Sequence, residues 1–149
     1  MHYNLAQINI SKSKGAADSP VMASFMEKID EVNAIAEGSD GFKWRLKSDE
    51  GNATSIKIFE DDMIIVNMSV WRDMEAFKDF VFKGLHVAMM RRRNEWFEKS
   101  DFSNLALWWI PEGHIPTTDE AKAKLEKIAL EGDTKEAFRF KNLFEKPVK

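Results

Sequence analysis

The chain contains no cysteine. Disulfides, thiolate zinc sites, iron–sulfur clusters and cysteine nucleophiles are therefore excluded. Histidine is scarce too: His2, His86 and His114 are the whole set. No two of them have the i, i+4 spacing of a helical zinc site, so no metal centre is expected. No apolar run approaches the ~18 residues of a membrane helix. Residues 1–10 are too short and too polar for a secretory leader. The expectation is a cytoplasmic protein with no membrane partner. Neither a glycine-rich phosphate loop nor a G-x-S-x-G elbow occurs. A large excess of one charge is also missing. The formal net charge is -3 at pH 7, which argues against nucleic acid as the main partner.

What is present suits a globular fold. Hydrophobic residues make up 44% and charged residues 32% of the chain, an ordinary balance. A length of 149 residues fits one domain. The expected division is a core over 1–111 and a C-terminal helical extension over 112–149.

Periodicity supplies the element order. Residues 3–10 read as a strand, with Tyr3, Leu5, Gln7 and Asn9 on one face and Asn4, Ala6, Ile8 and Ile10 on the other. Asp18 or Ser19 can cap a helix whose first turn holds Pro20. Met22, Phe25, Met26, Ile29, Val32 and Ala36 then follow helical spacing. Residues 42–46 read as a short strand, with Phe42, Trp44 and Leu46 inward and Lys43 and Arg45 outward. Residues 48–52 read as a turn. A hairpin is expected from 54–59 and 63–71 across Glu60, Asp61 and Asp62. A helical stretch starts at Asp73 and runs toward Phe97, interrupted at Gly84. Residues 104–110 form a last core strand. Thr117 and Glu120 make a capping box, and Ala121, Leu125 and Ile128 a helical stripe closed by Gly132. Phe138 and Phe140 alternate, as in a short arm.

Strand, helix, strands, helix, strand is the ferredoxin-like α+β pattern, an antiparallel sheet with helices on one face. Two strands are apolar on both faces. One carries Ile64, Val66, Met68 and Val70 opposite Ile65, Asn67, Ser69 and Trp71. The other carries Leu105, Leu107 and Trp109 opposite Ala106, Trp108 and Ile110. Both faces must be covered. Helices cover one. A second subunit is the simplest cover for the other, so a homodimer is expected; the tail helix is the competing cover.

His86 is the leading candidate for chemistry, as a general base or an axial haem ligand between helix and sheet. The alternative is a histidine that only bonds a helix break. Asn67, Ser69 and Trp71 share one strand face and can floor a pocket, joined by Gln7 and Asn9 from the first strand. Otherwise they satisfy backbone groups, as buried polar side chains usually do. Asn33, on the apolar side of the first helix, carries the same two readings. Arg91, Arg92 and Arg93 fan around a helix about 100° apart. Arg93 is the one on the face of His86. Trp44, Trp71, Trp96, Trp108 and Trp109 divide between cavity lining and core filling.

Several segments together carry a resemblance. They are HYNLAQINI at 2–10, FKWRL at 42–46, VNMSVW at 66–71, His86 with RRRNEWF at 91–97, and LWWIPEGHIPT at 107–117. The chain resembles a bacterial family catalogued as a domain of unknown function. That family is similar to the dimeric α+β barrel superfamily, which includes antibiotic-biosynthesis and haem-degrading monooxygenases. The resemblance implies a dimeric α+β barrel. It implies a monooxygenase-like oxidoreductase acting on a hydrophobic or aromatic molecule, either cofactor-free or haem-dependent. Haem-degrading relatives use an asparagine, a tryptophan and a helix histidine, for which Asn9 or Asn67, Trp71 and His86 are the counterparts here. His86, Asn67 and Trp71 are thus expected to be catalytic. Gln7, Asn9, Ser69 and Arg93 are expected to contact substrate, and His86 any haem. A non-catalytic, homodimeric small-molecule-binding or stress-related protein is the alternative. The long tail departs from the superfamily pattern and can lid the pocket.

Overall fold

The computed structural model describes residues 2–16, 18–47, 63–82, 84–98 and 104–147. The expected turn at 48–52, the strand at 54–59 and the hairpin tip at 60–62 lie outside them. Among the described residues, no helix is long and apolar enough to cross a membrane.

Four strands form one antiparallel sheet in the order β2-β3-β1-β4. They are β1 (Tyr3–Lys12), β2 (Phe42–Arg45), β3 (Ile64–Trp71) and β4 (Leu105–Pro111). This is the ferredoxin-like α+β arrangement. The central strand β1 pairs β3 through Leu5↔Trp71, Gln7↔Ser69 and Asn9↔Asn67. On its other side it pairs β4 through Leu5↔Trp109 and Gln7↔Leu107. Because side chains alternate along a strand, these partners all project from one face.

Helix α1 (Ala23–Glu37) follows a 3-10 turn over Pro20–Met22. Ser19 does not cap it: the Ser19 hydroxyl donates back to the Ala16 carbonyl at 2.6 Å. The second helical stretch is divided into α2 (Met74–Val81), α3 (Gly84–Arg91) and α4 (Arg93–Trp96). Asp73 caps α2, its carboxylate accepting from the Ala76 N–H at 2.9 Å. Gly84 opens α3 at φ +58°, a left-handed value that suits glycine.

β2 corrects the alternation expected there. A bulge between Phe42 and Trp44 shifts the register, so Phe42 opposes Trp71, Trp44 opposes Val70 and Arg45 opposes Ser69. The extra residue moves Trp44 and Leu46 to the opposite face from Phe42. Arg45, expected outward, comes instead onto the helix-covered face. Its guanidinium lies 3.3 Å from the Glu37 carboxylate at the end of α1.

The other sheet face holds Ala6, Ile8, Ile10, Val66, Met68, Val70, Ala106, Trp108 and Ile110. Helix α5 (Thr118–Glu131) packs there through Ala121, Leu125 and Ile128. The competing cover is therefore the one present, and the burial of this face needs no second chain. Thr117 caps α5, accepting from the Glu120 N–H at 3.0 Å. The Glu120 carboxylate does not complete the capping box. It accepts from Trp108 Nε1 at 2.9 Å and meets His114 Nε2 at 2.8 Å, tying α5 to the sheet.

Past Gly132 the tail rounds the β4 edge. Phe138 and Leu107 exchange two backbone hydrogen bonds, at 2.7 and 2.9 Å. Phe138, Phe140 and Phe144 then join Trp71, Phe77 and Trp109 on the helix-covered face. The alternating phenylalanines do make a short arm.

Candidate functional site

A cavity of about 310 Å³ lies between the sheet and the helices. Its floor is the polar strip shared by β1 and β3. Gln7 is 3% exposed and Ser69 6%. Gln7 Nε2 donates to Asn67 Oδ1 at 2.8 Å and to Ser69 Oγ at 2.7 Å. Trp71 Nε1 also donates to Ser69 Oγ, at 2.9 Å. Two donors thus occupy the serine oxygen, and its own O–H remains to be given. Asn9 and Asn67 oppose each other further along and are exposed, which sets them at the mouth.

Aromatic rings form one wall. Trp71 stacks on Phe80 with centroids 5.1 Å apart, and Phe80 meets the His86 ring edge-on at 5.1 Å. Phe25 and Trp96 close the other end, 5.4 Å apart. Offset and edge-on contacts of this kind suit aromatic rings, and each is worth about 0.5–1.5 kcal/mol beyond burial. Phe140 of the tail also lines the cavity, so the arm does contribute to its enclosure.

His86 sits in the first turn of α3. Its Nδ1 is 2.9 Å from the Val81 carbonyl oxygen at the end of α2. A carbonyl only accepts, so Nδ1 carries the proton and the neutral ring keeps Nε2 as its acceptor. Burial holds the imidazole below its ordinary value of 6.5, against a smaller opposing effect of the Val81 bond. At neutral pH His86 is uncharged, with Nε2 lacking a partner within the described chain. The end of α2 at Val81 creates this geometry: a helix continuing past it would spend the Val81 carbonyl on its own ladder.

Every site residue predicted from the sequence lines this one cavity: Gln7, Asn9, Asn67, Ser69, Trp71, His86 and Arg93. Arg93 is exposed, at the rim. Its neighbour Arg92 is instead engaged by Glu95 at 2.9 Å and lies over the Trp96 ring at 4.8 Å. Of the tryptophans, Trp71 and Trp96 reach the cavity, while Trp108 serves the opposite face. Arg45 and Asn33 also line the cavity, although neither is among the assigned site residues. Arg45 arrives through the bulge, which the pattern of β2 does not reveal. Asn33 of α1 carries two readings in the sequence, pocket lining or backbone partner, and it lies in the lining. It is 6% exposed and hydrogen-bonded to nothing among the described residues.

Arg45 and Arg93 line the cavity, and among the described residues no carboxylate does. Arg45 is paired with Glu37, so the positive charge left at the rim is that of Arg93. Also among the described residues, no group of three histidine, aspartate or glutamate side chains gathers to hold a metal. For a haem, His86 Nε2 is the one imidazole nitrogen available as ligand, with Nδ1 already oriented by a carbonyl. The volume lies at the low end of the range for ligand pockets, a closer match to a two- or three-ring molecule than to a porphyrin.

The sheet order, the helices on one face and the cavity between them define a ferredoxin-like α+β protein. The chain belongs to the family described as domain of unknown function DUF3291, whose model matches residues 4–149. Among solved structures it is similar to the NE2512 protein of unknown function from Nitrosomonas europaea. That match has TM-score 0.52 and 11% identity, covering 77% of this chain and 96% of the other. It is also similar to PA3566 from Pseudomonas aeruginosa, with TM-score 0.50, 12% identity, and 74% and 94% covered. SnoaB, a cofactor-independent oxygenase from Streptomyces nogalater, gives TM-score 0.49 and 17% identity, with 76% and 98% covered. The first two likenesses establish the fold and nothing finer. No curated protein matches the chain.

Proposed function

We propose that the cavity is the active site of a small monooxygenase-like oxidoreductase, acting on a hydrophobic or aromatic molecule that bears an ionisable hydroxyl. The observation that carries this reading is His86, a neutral imidazole with Nδ1 anchored on Val81 and Nε2 unengaged. That is the state a general base requires. Nε2 takes the hydroxyl proton, and the electron pair passes into the ring system. A ring methylene in such an anion, with dioxygen, becomes a carbonyl, and the second oxygen atom leaves as water. Trp71 and Phe80 supply the flat wall against which the ring lies. Ser69 donates its free hydroxyl hydrogen to the substrate, and Gln7 holds the Ser69 and Asn67 side chains in place. Asn67 and Asn9 meet the polar end at the mouth. Arg93 at the rim favours the anionic form of the substrate. The superfamily resemblance is what directs the chemistry toward oxygen rather than toward isomerisation.

Oxygen uptake with a panel of hydroxylated two- and three-ring compounds that carry a ring methylene tests this. Wild type is expected to consume oxygen, and His86→Ala to lose about 100-fold or more while keeping its fold by circular dichroism. Full activity in the variant contradicts the assignment. Binding without uptake in both proteins would make this a small-molecule-binding protein instead. A saturable Soret shift on haem titration, absent in His86→Ala, would assign His86 as an axial ligand and not a base.

A further inference from the structure

We infer that Asn33 is a ligand-binding residue, and that the ligand carries a ring oxygen, ketone or hydroxyl, separate from the hydroxyl that His86 serves. This rests on the reading of the cavity as a ligand site. Apolar groups surround Asn33. Its neighbours on the same side of α1 are Phe25, Ile29, Val32 and Ala36, all apolar and all lining the cavity. Asn33 is 6% exposed and has no hydrogen bond within the described chain.

The usual structural task for such an amide is to satisfy a helix end. That task is already done by others. Gly38 N–H bonds the Ala34 carbonyl at 3.1 Å, and Ser39 N–H the Ala36 carbonyl at 3.0 Å. The Ser39 hydroxyl donates to the Ile35 carbonyl at 2.7 Å. Asn33 is left with both amide functions in a cavity whose floor also has a spare donor, the Ser69 O–H. A ring ketone accepts from Asn33 Nδ2 and from Ser69. A hydroxyl can in addition donate to Asn33 Oδ1. A plain hydrocarbon leaves the Asn33 amide buried and unpaired, so the cavity discriminates against it.

A ketone without an acidic hydroxyl separates Asn33 from His86, because the neutral Nε2 is an acceptor and cannot bond a carbonyl. The probes are 1-tetralone and its hydrocarbon parent tetralin, titrated by tryptophan fluorescence, since Trp71 and Trp96 line the cavity. Wild type is expected to prefer 1-tetralone by about ten-fold. Asn33→Leu should reduce that preference to within about three-fold and raise Tm, because the buried amide is replaced by an apolar group of similar size. Asn33→Ala should reduce the preference in the same way, with no added bulk. His86→Ala should leave the preference intact. Retention of the ketone preference in both Asn33 variants, or a fall in Tm for Asn33→Leu, overturns the inference. Equal binding of the two probes by wild type overturns it while leaving the His86 reading in place. Binding of neither probe overturns both.

Discussion

His86 illustrates how one side chain acquires a chemical state from its position. Burial disfavours the imidazolium, and the Val81 carbonyl selects the tautomer protonated at Nδ1. The sign of the resulting pH dependence follows. The folded value lies below the unfolded value of 6.5. Above 6.5 both states are neutral and the contribution of His86 to stability is fully present. As pH falls below 6.5 the unfolded chain takes up the proton first, and that contribution is lost progressively toward the lowered folded value. A base-catalysed rate should hold through the same window and fall only below it, since the folded ring stays neutral there. Asn33 makes a complementary case. Asn33 lies 6% exposed in the cavity lining, with no hydrogen bond among the described residues.

Among the elements, the helices, strands β1, β3 and β4, and the capping of α2 and α5 were legible from periodicity and cap residues. So was the face of β3 that carries Asn67, Ser69 and Trp71, because alternation along a strand is a local property. The bulge in β2 was not. One extra residue between Phe42 and Trp44 leaves no mark in a short run of alternating apolar and basic side chains. Arg45 was therefore placed on the wrong side. Gly84 announced a break, but the bond the break creates, from Val81 to His86, joins two helices and needs their geometry. The missing partner of Asn33 was likewise invisible, since it depends on what Gly38 and Ser39 already do. Helix α5 depends on its stripe. Leu125→Ala should cost about 2–5 kcal/mol in urea denaturation, because Leu125 is 5% exposed against the sheet. A loss below about 0.5 kcal/mol would mean that α5 does not hold the sheet face in solution.

The whole molecule is a sheet enclosed on both sides by one chain. α1 to α4 cover the cavity face, α5 covers the other, and the Phe138 bridge closes the β4 edge between them. This bears on assembly. We propose a homodimer, but not the one expected with sheets face to face, because α5 already covers that face. Sedimentation equilibrium should give twice the chain mass, and a monomer at micromolar concentration would contradict the proposal.

The central claim is that His86 presents a neutral, unengaged Nε2 to a ligand cavity. Its most direct test is a pH titration of the imidazole nitrogens by ¹⁵N NMR, with and without added 2-naphthol. The account predicts a His86 resonance that titrates below 6.5, shows the Nδ1–H tautomer above that point, and shifts at Nε2 when the naphthol is added. Titration at or above 6.5, with mixed tautomers and no response to the naphthol, would contradict it.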